Sequence, residues 1–281
     1  STPLYSSAAS DVYKRQIKHR AALIGEIRSF FAKKEVVEVQ VPVLSRNTVT
    51  DPDIESISVS GHGYLQTSPE YLMKKLLSSG SPSIYSIGPA FREGEMGRNH
   101  RPEFIMIEWY RVGTDELQLI EEIKELLDSV LGSAPYTELA YREVLERAQD
   151  KTLEEDLRFS IACDSLKPGR FVIRDYPAEK AVLARLDEHD PRIARRFEFV
   201  VDGLELANGY FELKDWSEHL KRFSIDNDIR LARGLPKVDI DNEFIDAIRS
   251  GLPDCAGVAM GFDRLLMLQI GETDIGSVQL F

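Results

Sequence analysis

Helical and alternating apolar patterns in this 281-residue chain predict an α+β domain. Three observations carry the prediction. From Phe104 to Tyr110 the chain alternates, with Phe104, Met106, Glu108 and Tyr110 on one face and Ile105, Ile107 and Trp109 on the other. The preceding run IYSIGPAF, ending at Phe91, alternates enough to be its hairpin partner across a polar loop that contains glycine. Apolar stripes at helical spacing occur on both sides of this pair.

Taken in order, residues 1–16 (STPLYSSAASDVYKRQ) are small and polar and read as a disordered tail or a cloning or sequencing remnant. Over 17–34, Leu23, Ile24, Ile27, Phe30 and Phe31 form one helical stripe, and VVEVQVPVL then alternates as a strand. Thr67, Ser68, Pro69 and Glu70 give a helix start with a hydroxyl cap and a proline in the first turn, and Gly80 marks its end. A second helix is expected over 115–131, with Leu117, Ile120, Ile123, Leu127 and Val130 on its buried side. The region 133–197 is charged and poorly periodic, and is expected to be a variable connector. No repeat or low-complexity linker divides the chain, so 17–281 is expected to be one domain.

Two positions stand out on physical grounds. Glu108 lies amid apolar neighbours, where a carboxylate is costly unless an internal arginine or a ligand cation meets it. Arg92 follows the first hairpin strand and falls beside Phe104, placing a phosphate-binding guanidinium near an aromatic face suited to a purine. Taken singly, each has an ordinary reading as well: a core ion pair for Glu108, a solvated strand end for Arg92.

Composition narrows the function. With 35 basic and 47 acidic residues the net charge is −12, the wrong sign for a protein that lives on nucleic acid. No apolar run approaches the roughly 20 residues of a membrane span, and the N-terminus lacks a signal peptide's basic start. The two cysteines, Cys163 and Cys255, give no disulfide framework or zinc spacing, so a cytoplasmic protein without a membrane partner is expected.

Four segments carry a family resemblance. FREGEMGRNHRPEFIMIEWYR (91–111) resembles motif 2 of the class II aminoacyl-tRNA synthetases, in the version found in lysyl-tRNA synthetases and in their truncated relatives that attach beta-lysine to translation elongation factor P. RSFFAKKEVVEVQVPVL (28–44) resembles motif 1, GLELANGYFEL (203–213) the lysine-specific segment, and GVAMGFDRLLML (257–268) motif 3, with Gly257, Gly261 and Arg264 in register. The resemblance implies the class II catalytic fold, an antiparallel sheet flanked by helices, and a homodimer formed through the motif 1 helix and strand. With about 16 residues ahead of the first helix there is no room for an anticodon-binding barrel, so no anticodon recognition is expected.

The implied reaction is attack of a substrate carboxylate on the α-phosphate of ATP, with Mg2+, followed by acyl transfer to an amine or hydroxyl. By resemblance, Arg92 and Arg264 are the catalytic phosphate ligands, and His100 and Phe104 flank adenine. Glu93, Gly94, Arg101, Leu206 and Gly261 complete the ATP site, and Glu205 is the magnesium ligand. Ser68, Pro69, Glu70, Glu108, Tyr110, Asn208, Glu212 and Ala259 line the amino-acid pocket, whose many carboxylates suit a dicationic substrate.

Three departures from the pattern matter. Gly94 stands where motif 2 usually has an acid, with Glu93 or Glu95 as its replacement, and Arg101 stands where relatives tend to have Asn. Ala259 replaces the middle glycine of motif 3 in lysyl-tRNA synthetases; its methyl group favours (R)-beta-lysine over alpha-lysine by about 1–3 kcal/mol, unless the change is neutral packing. The expected activity is therefore ATP-dependent ligation of (R)-beta-lysine to a lysine of elongation factor P. A stand-alone lysyl-tRNA synthetase-like enzyme and a non-catalytic ATP- or lysine-binding regulator are the alternatives.

Overall fold

The computed structural model describes residues 7–280, with side chains from Tyr13 onward. Helix α1 (Ser7–Lys33) starts ahead of the expected Ile17, so the expected tail is helical from Ser7, while residues 1–6 lie outside the described residues. No glycine or proline lies between Ser7 and Gln16, so nothing local breaks the helix there. Leu23, Ile27 and Phe31 are fully buried, with Ile24 and Phe30 packed at the margin of the same core.

The VVEVQVPVL segment is not one strand. It holds two short pieces, β1 (Val37–Glu38) and β2 (Leu44–Ser45), separated by Pro42, which has no N–H to donate to a ladder. β2 joins β3 (Ser58–Val59) and β4 (Gly63–Leu65) in a small sheet of order β2-β4-β3. Helix α2 (Glu70–Ser78) follows, its first N–H accepted by Ser68 Oγ at 3.0 Å. The hairpin strands are β5 (Ile84–Phe91) and β6 (Glu103–Val112), as the alternation predicted.

Helix α3 (Glu116–Leu131) is fixed by a capping box between Asp115 and Gln118. Its buried stripe is Leu119, Ile120, Ile123, Leu126, Leu127 and Val130; Leu117, expected inside, is exposed, because the apolar face starts at Leu119. The 133–197 region is more than a connector. It contains β7 (Tyr136–Ala140), α4 (Tyr141–Glu146), α5 (Glu155–Asp164), β8 (Arg170–Arg174), β9 (Tyr176–Pro177) and β10 (Ile193–Ala194), and it builds a second apolar core around Tyr141, Val144, Ile173 and Tyr176. Its pattern is masked by charge: Arg170 is buried in β8, where its guanidinium bonds Asp128 at 2.7 Å and the Gly132 carbonyl at 2.7 Å.

The remaining elements are β11 (Arg196–Val201), β12 (Leu204–Phe211), α6 (Trp216–Ala232), α7 (Asn242–Gly251), β13 (Cys255–Gly261) and α8 (Phe262–Ile270). Among the described residues, eight strands form one sheet of order β1-β5-β6-β13-β12-β11-β8-β7. The sheet is mixed rather than wholly antiparallel: β1 pairs parallel with β5, and β7 parallel with β8. Its antiparallel centre sets side chains in rows. One row runs Ser86, Glu108, Ala259, Asn208, Glu198, and the next runs Ile84, Tyr110, Gly257, Tyr210, Arg196.

Candidate active site

These rows form the floor of a cleft of about 1130 Å³. At one end Glu108, only 2% exposed, accepts hydrogen bonds from Ser68 Oγ at 2.6 Å and Tyr110 Oη at 2.7 Å. Hydroxyls, not an internal arginine, meet this carboxylate. Burial, with help from the nearby Glu70 charge, pushes the Glu108 carboxyl up, and the two hydroxyls oppose the rise. Glu212 is also buried and pushed upward, while Lys74 Nζ, 2.5 Å from its Oε2, pulls the other way. Lys74 Nζ also sits 2.6 Å from Glu70 Oε1.

Gly257 is what lets these groups converge. A Cβ at this position would stand 2.3 Å from Tyr110 Cε1 and 2.4 Å from Glu212 Oε1, so the strand can carry only a hydrogen there. Ala259, on the same strand, lies between Glu108 and Asn208 in the row, which puts its methyl group among the polar groups of the pocket. Asn208 Oδ1 is buried and finds no partner among the described residues.

The other end is cationic and aromatic. Arg92 lies over the Phe104 ring at 5.2 Å, with Nη1 3.4 Å from Glu95 and Nε 3.4 Å from the Thr67 carbonyl. Arg264, from the first turn of α8, donates to the Glu205 carbonyl at 2.6 Å and stands 2.7 Å from His100 Nε2. Burial and the Arg264 charge hold the His100 pKa below its usual value, so the ring is neutral near pH 7. The hairpin loop that carries these groups is tied to the C-terminal segment: Arg98 Nε donates to the Thr273 carbonyl at 2.6 Å, and Ile275 N–H to the Arg98 carbonyl at 2.9 Å.

Most of the expected site residues line this one cleft: Arg92, His100, Arg101, Phe104, Glu205, Leu206, Gly261 and Arg264 toward one end, and Ser68, Glu70, Glu108, Tyr110, Asn208, Glu212 and Ala259 toward the other. Pro69, Glu93 and Gly94 do not line it. Pro69 starts α2, and Glu93 N–H donates to the Glu55 carbonyl. Gly94 has φ +77°, a conformation that favours glycine over an acid, and Glu95 faces Arg92 in its place. Arg101 is engaged by its own hairpin, donating to the Gly97 and His100 carbonyls. Among the charged residues that escaped the sequence reading are Lys74, behind the cleft, and Arg196, a cleft residue that pairs with buried Glu198 at 2.6 Å. Arg196 and Glu198 share a strand face two residues apart, the same signal that singled out Glu108.

The cleft thus joins a cationic, aromatic end to an acidic end across a mostly antiparallel sheet, the arrangement of a ligase. The model of the class II tRNA synthetases (D, K and N) matches residues 4–281, and the chain belongs to that family. Among curated relatives, the elongation factor P--(R)-beta-lysine ligase of Vibrio cholerae is 41% identical over 95% of this chain and 94% of its own length. The proteins of the same name from Vibrio vulnificus, 41% identical over 95% of each chain, and Salmonella arizonae, 40% identical over 93% of each, are comparably similar.

Proposed function

We propose that the protein is an ATP-dependent ligase that activates (R)-beta-lysine as an acyl-adenylate and transfers it to the side-chain amine of a lysine on elongation factor P. The observation that carries this reading is the single cleft in which Arg92 and Arg264 stand at one end and Glu70, Glu108 and Glu212 at the other. Three carboxylates suit a substrate with two ammonium groups, and the free Asn208 Oδ1 offers one of them a further acceptor.

In the first step a carboxylate oxygen of the amino acid bonds to the α-phosphorus of ATP and pyrophosphate leaves. Arg92 and Arg264 hold the phosphate oxygens, whose charge shifts as that bond breaks. Phe104 and neutral His100 flank the adenine, and Arg92, 5.2 Å over the Phe104 ring, sets a guanidinium beside it for the phosphates. In the second step the acceptor amine, having lost its proton, attacks the acyl carbon; AMP leaves with the oxygen and an isopeptide bond results. Magnesium would neutralise phosphate charge. Among the described residues no group of three or more metal-ligating side chains exists, which fits an ion held mainly by phosphates and one exposed carboxylate, Glu205.

The Ala259 methyl group, set between Glu108 and Asn208, supports selection of the beta-amino acid, since it takes space beside the groups that would bind the amine. A homodimer is supported by the apolar side chains that β1, β2 and their junction leave exposed, Val37, Val43 and Leu44. Two free buried cysteines suit the cytoplasm, and no helix among the described residues is long and apolar enough to cross a membrane.

The test is amino-acid-dependent ATP–pyrophosphate exchange with (R)-beta-lysine and alpha-lysine side by side, followed by mass analysis of elongation factor P and of tRNA. Preference for beta-lysine with a mass gain on the protein is the expected result. Preference for alpha-lysine with charged tRNA would make the protein a synthetase, and no exchange with either would overturn the enzymatic reading.

A further inference from the structure

Lys74 is fully buried, and its ammonium sits 2.6 Å from Glu70 Oε1 and 2.5 Å from Glu212 Oε2. An unpaired lysine at such depth would lose its proton; here the two carboxylates outweigh burial and raise its pKa, so the cation persists. Lys74 does not line the cleft, whereas Glu70, Glu108 and Glu212 all do. The lysine therefore stands behind the acids. It joins two elements distant in sequence, Glu70 at the first turn of α2 and Glu212 just past the end of β12.

We infer that Lys74 is a positioning residue of the amino-acid pocket, which fixes Glu70 and Glu212 toward the cleft and sets the pocket charge to the value that a diamino acid neutralises. This rests on the assignment of that pocket proposed above. Glu70, Glu108 and Glu212 can carry three negative charges, of which Lys74 offsets one, leaving up to two, one for each ammonium group of the substrate. Without Lys74 a third would remain, and mutual repulsion would drive a proton onto one of the acids. The charged and titratable groups that face Lys74 are Glu70 of α2, Glu212, Glu108 of β6, His219 of α6 and Cys255 of β13. Lys74 pulls the Glu108 and Glu212 carboxyls down against the larger upward push of burial, so its charge favours their ionised forms.

The experiment is pyrophosphate exchange as a function of pH in the parent protein, Lys74→Met and Lys74→Arg, with KM measured separately for the diamino acid and for ATP. In Lys74→Met the amino-acid KM should rise about tenfold or more while the ATP KM holds, and the pH at which the amino acid begins to bind should move upward. Lys74→Arg keeps the charge and changes the geometry, so its amino-acid KM should rise with the pH profile in place; it carries the test if Lys74→Met fails to fold. An unchanged amino-acid KM in a folded variant, or equal rises for both substrates with the profile unmoved, would make Lys74 a packing residue and overturn the inference. Absence of diamino-acid-dependent exchange in the parent protein would instead remove the pocket assignment on which it rests.

Discussion

Gly257→Ala tests whether the strand row, rather than the motif residues alone, creates the amino-acid pocket. The added Cβ would lie 2.3 Å from Tyr110 Cε1, where ordinary contact begins at 3.4 Å, so about 1.1 Å must be found. Neither neighbour can yield it cheaply. Tyr110 is 2% exposed, with its hydroxyl held 2.7 Å from Glu108, and Glu212 is pinned 2.5 Å from Lys74. Overpacking of this kind costs about 1–3 kcal/mol in stability. A displacement near 1 Å in substrate-positioning groups costs about 100-fold in turnover. The expected result is a folded protein with a lowered melting temperature, an amino-acid kcat/KM down about 100-fold, and ATP affinity retained through Arg92 and Arg264. Exchange kinetics with each substrate varied in turn, beside a thermal melt, would measure all three. Parent-like amino-acid kinetics in a folded Gly257→Ala protein would show that Tyr110 and Glu212 do not line the substrate pocket.

Arg264→Ala should lower pyrophosphate exchange by about 100-fold or more, with the fold retained because buried Leu265 and Leu266 anchor α8; normal exchange would refute its phosphate role. Ala259→Gly should widen acceptance toward alpha-lysine by about tenfold, and an unchanged ratio of the two substrates would remove the argument from that methyl group. The pH dependence has a definite sign. Because the folded Glu108 carboxyl is raised, the stability it contributes is present at low pH and is lost as pH rises through its folded pKa, whereas an ammonium ligand needs it ionised. Amino-acid KM should therefore fall as pH climbs through about 7, the value to which the Glu108 carboxyl is raised. In Glu108→Gln that limb should flatten, and a limb that persists there would assign the titration elsewhere.

The legible parts of the fold were those with local signals. Alternation gave β5 and β6 with their facing residues, and the apolar stripe gave α3. Parallel pairing of β7 with β8 has no hairpin to announce it, and the buried Arg170 disguises β8 as a charged loop. Within the site, Arg92, Glu108 and Phe104 could be placed from the hairpin alone. Lys74 could not: in the helical run LMKKLL it is one of two adjacent lysines, and only the arrival of Glu212 from a distant strand makes it the buried one. Gly94, which stands where motif 2 usually has an acid, has a positive φ, a turn requirement that an acid would strain and that the sequence does not display.

The two ends of the cleft are held in physically different ways, and this bears on how the reaction is partitioned. The amino-acid end is set into central strands: Tyr110, Gly257, Ala259 and Asn208 lie on ladders bonded on both sides, and Glu108 is braced by two hydroxyls. Selection between isomers whose amino group differs in position by one carbon needs such rigidity, because a methyl group discriminates only if its surroundings cannot retreat. The proposed nucleotide end takes Arg92 and His100 from the loop between β5 and β6, whose tip residue Met96 is exposed and which is anchored by the Arg98 side chain on the Thr273 carbonyl and by Ile275 N–H on the Arg98 carbonyl. A loop tethered at a few points can admit ATP and release pyrophosphate and AMP without disturbing the strands. Amino-acid specificity and nucleotide turnover are thus separable in this architecture. On the proposed assignment, substitutions in the rows should act on the choice of amino acid, and those in the loop and its C-terminal tether on the passage of nucleotide.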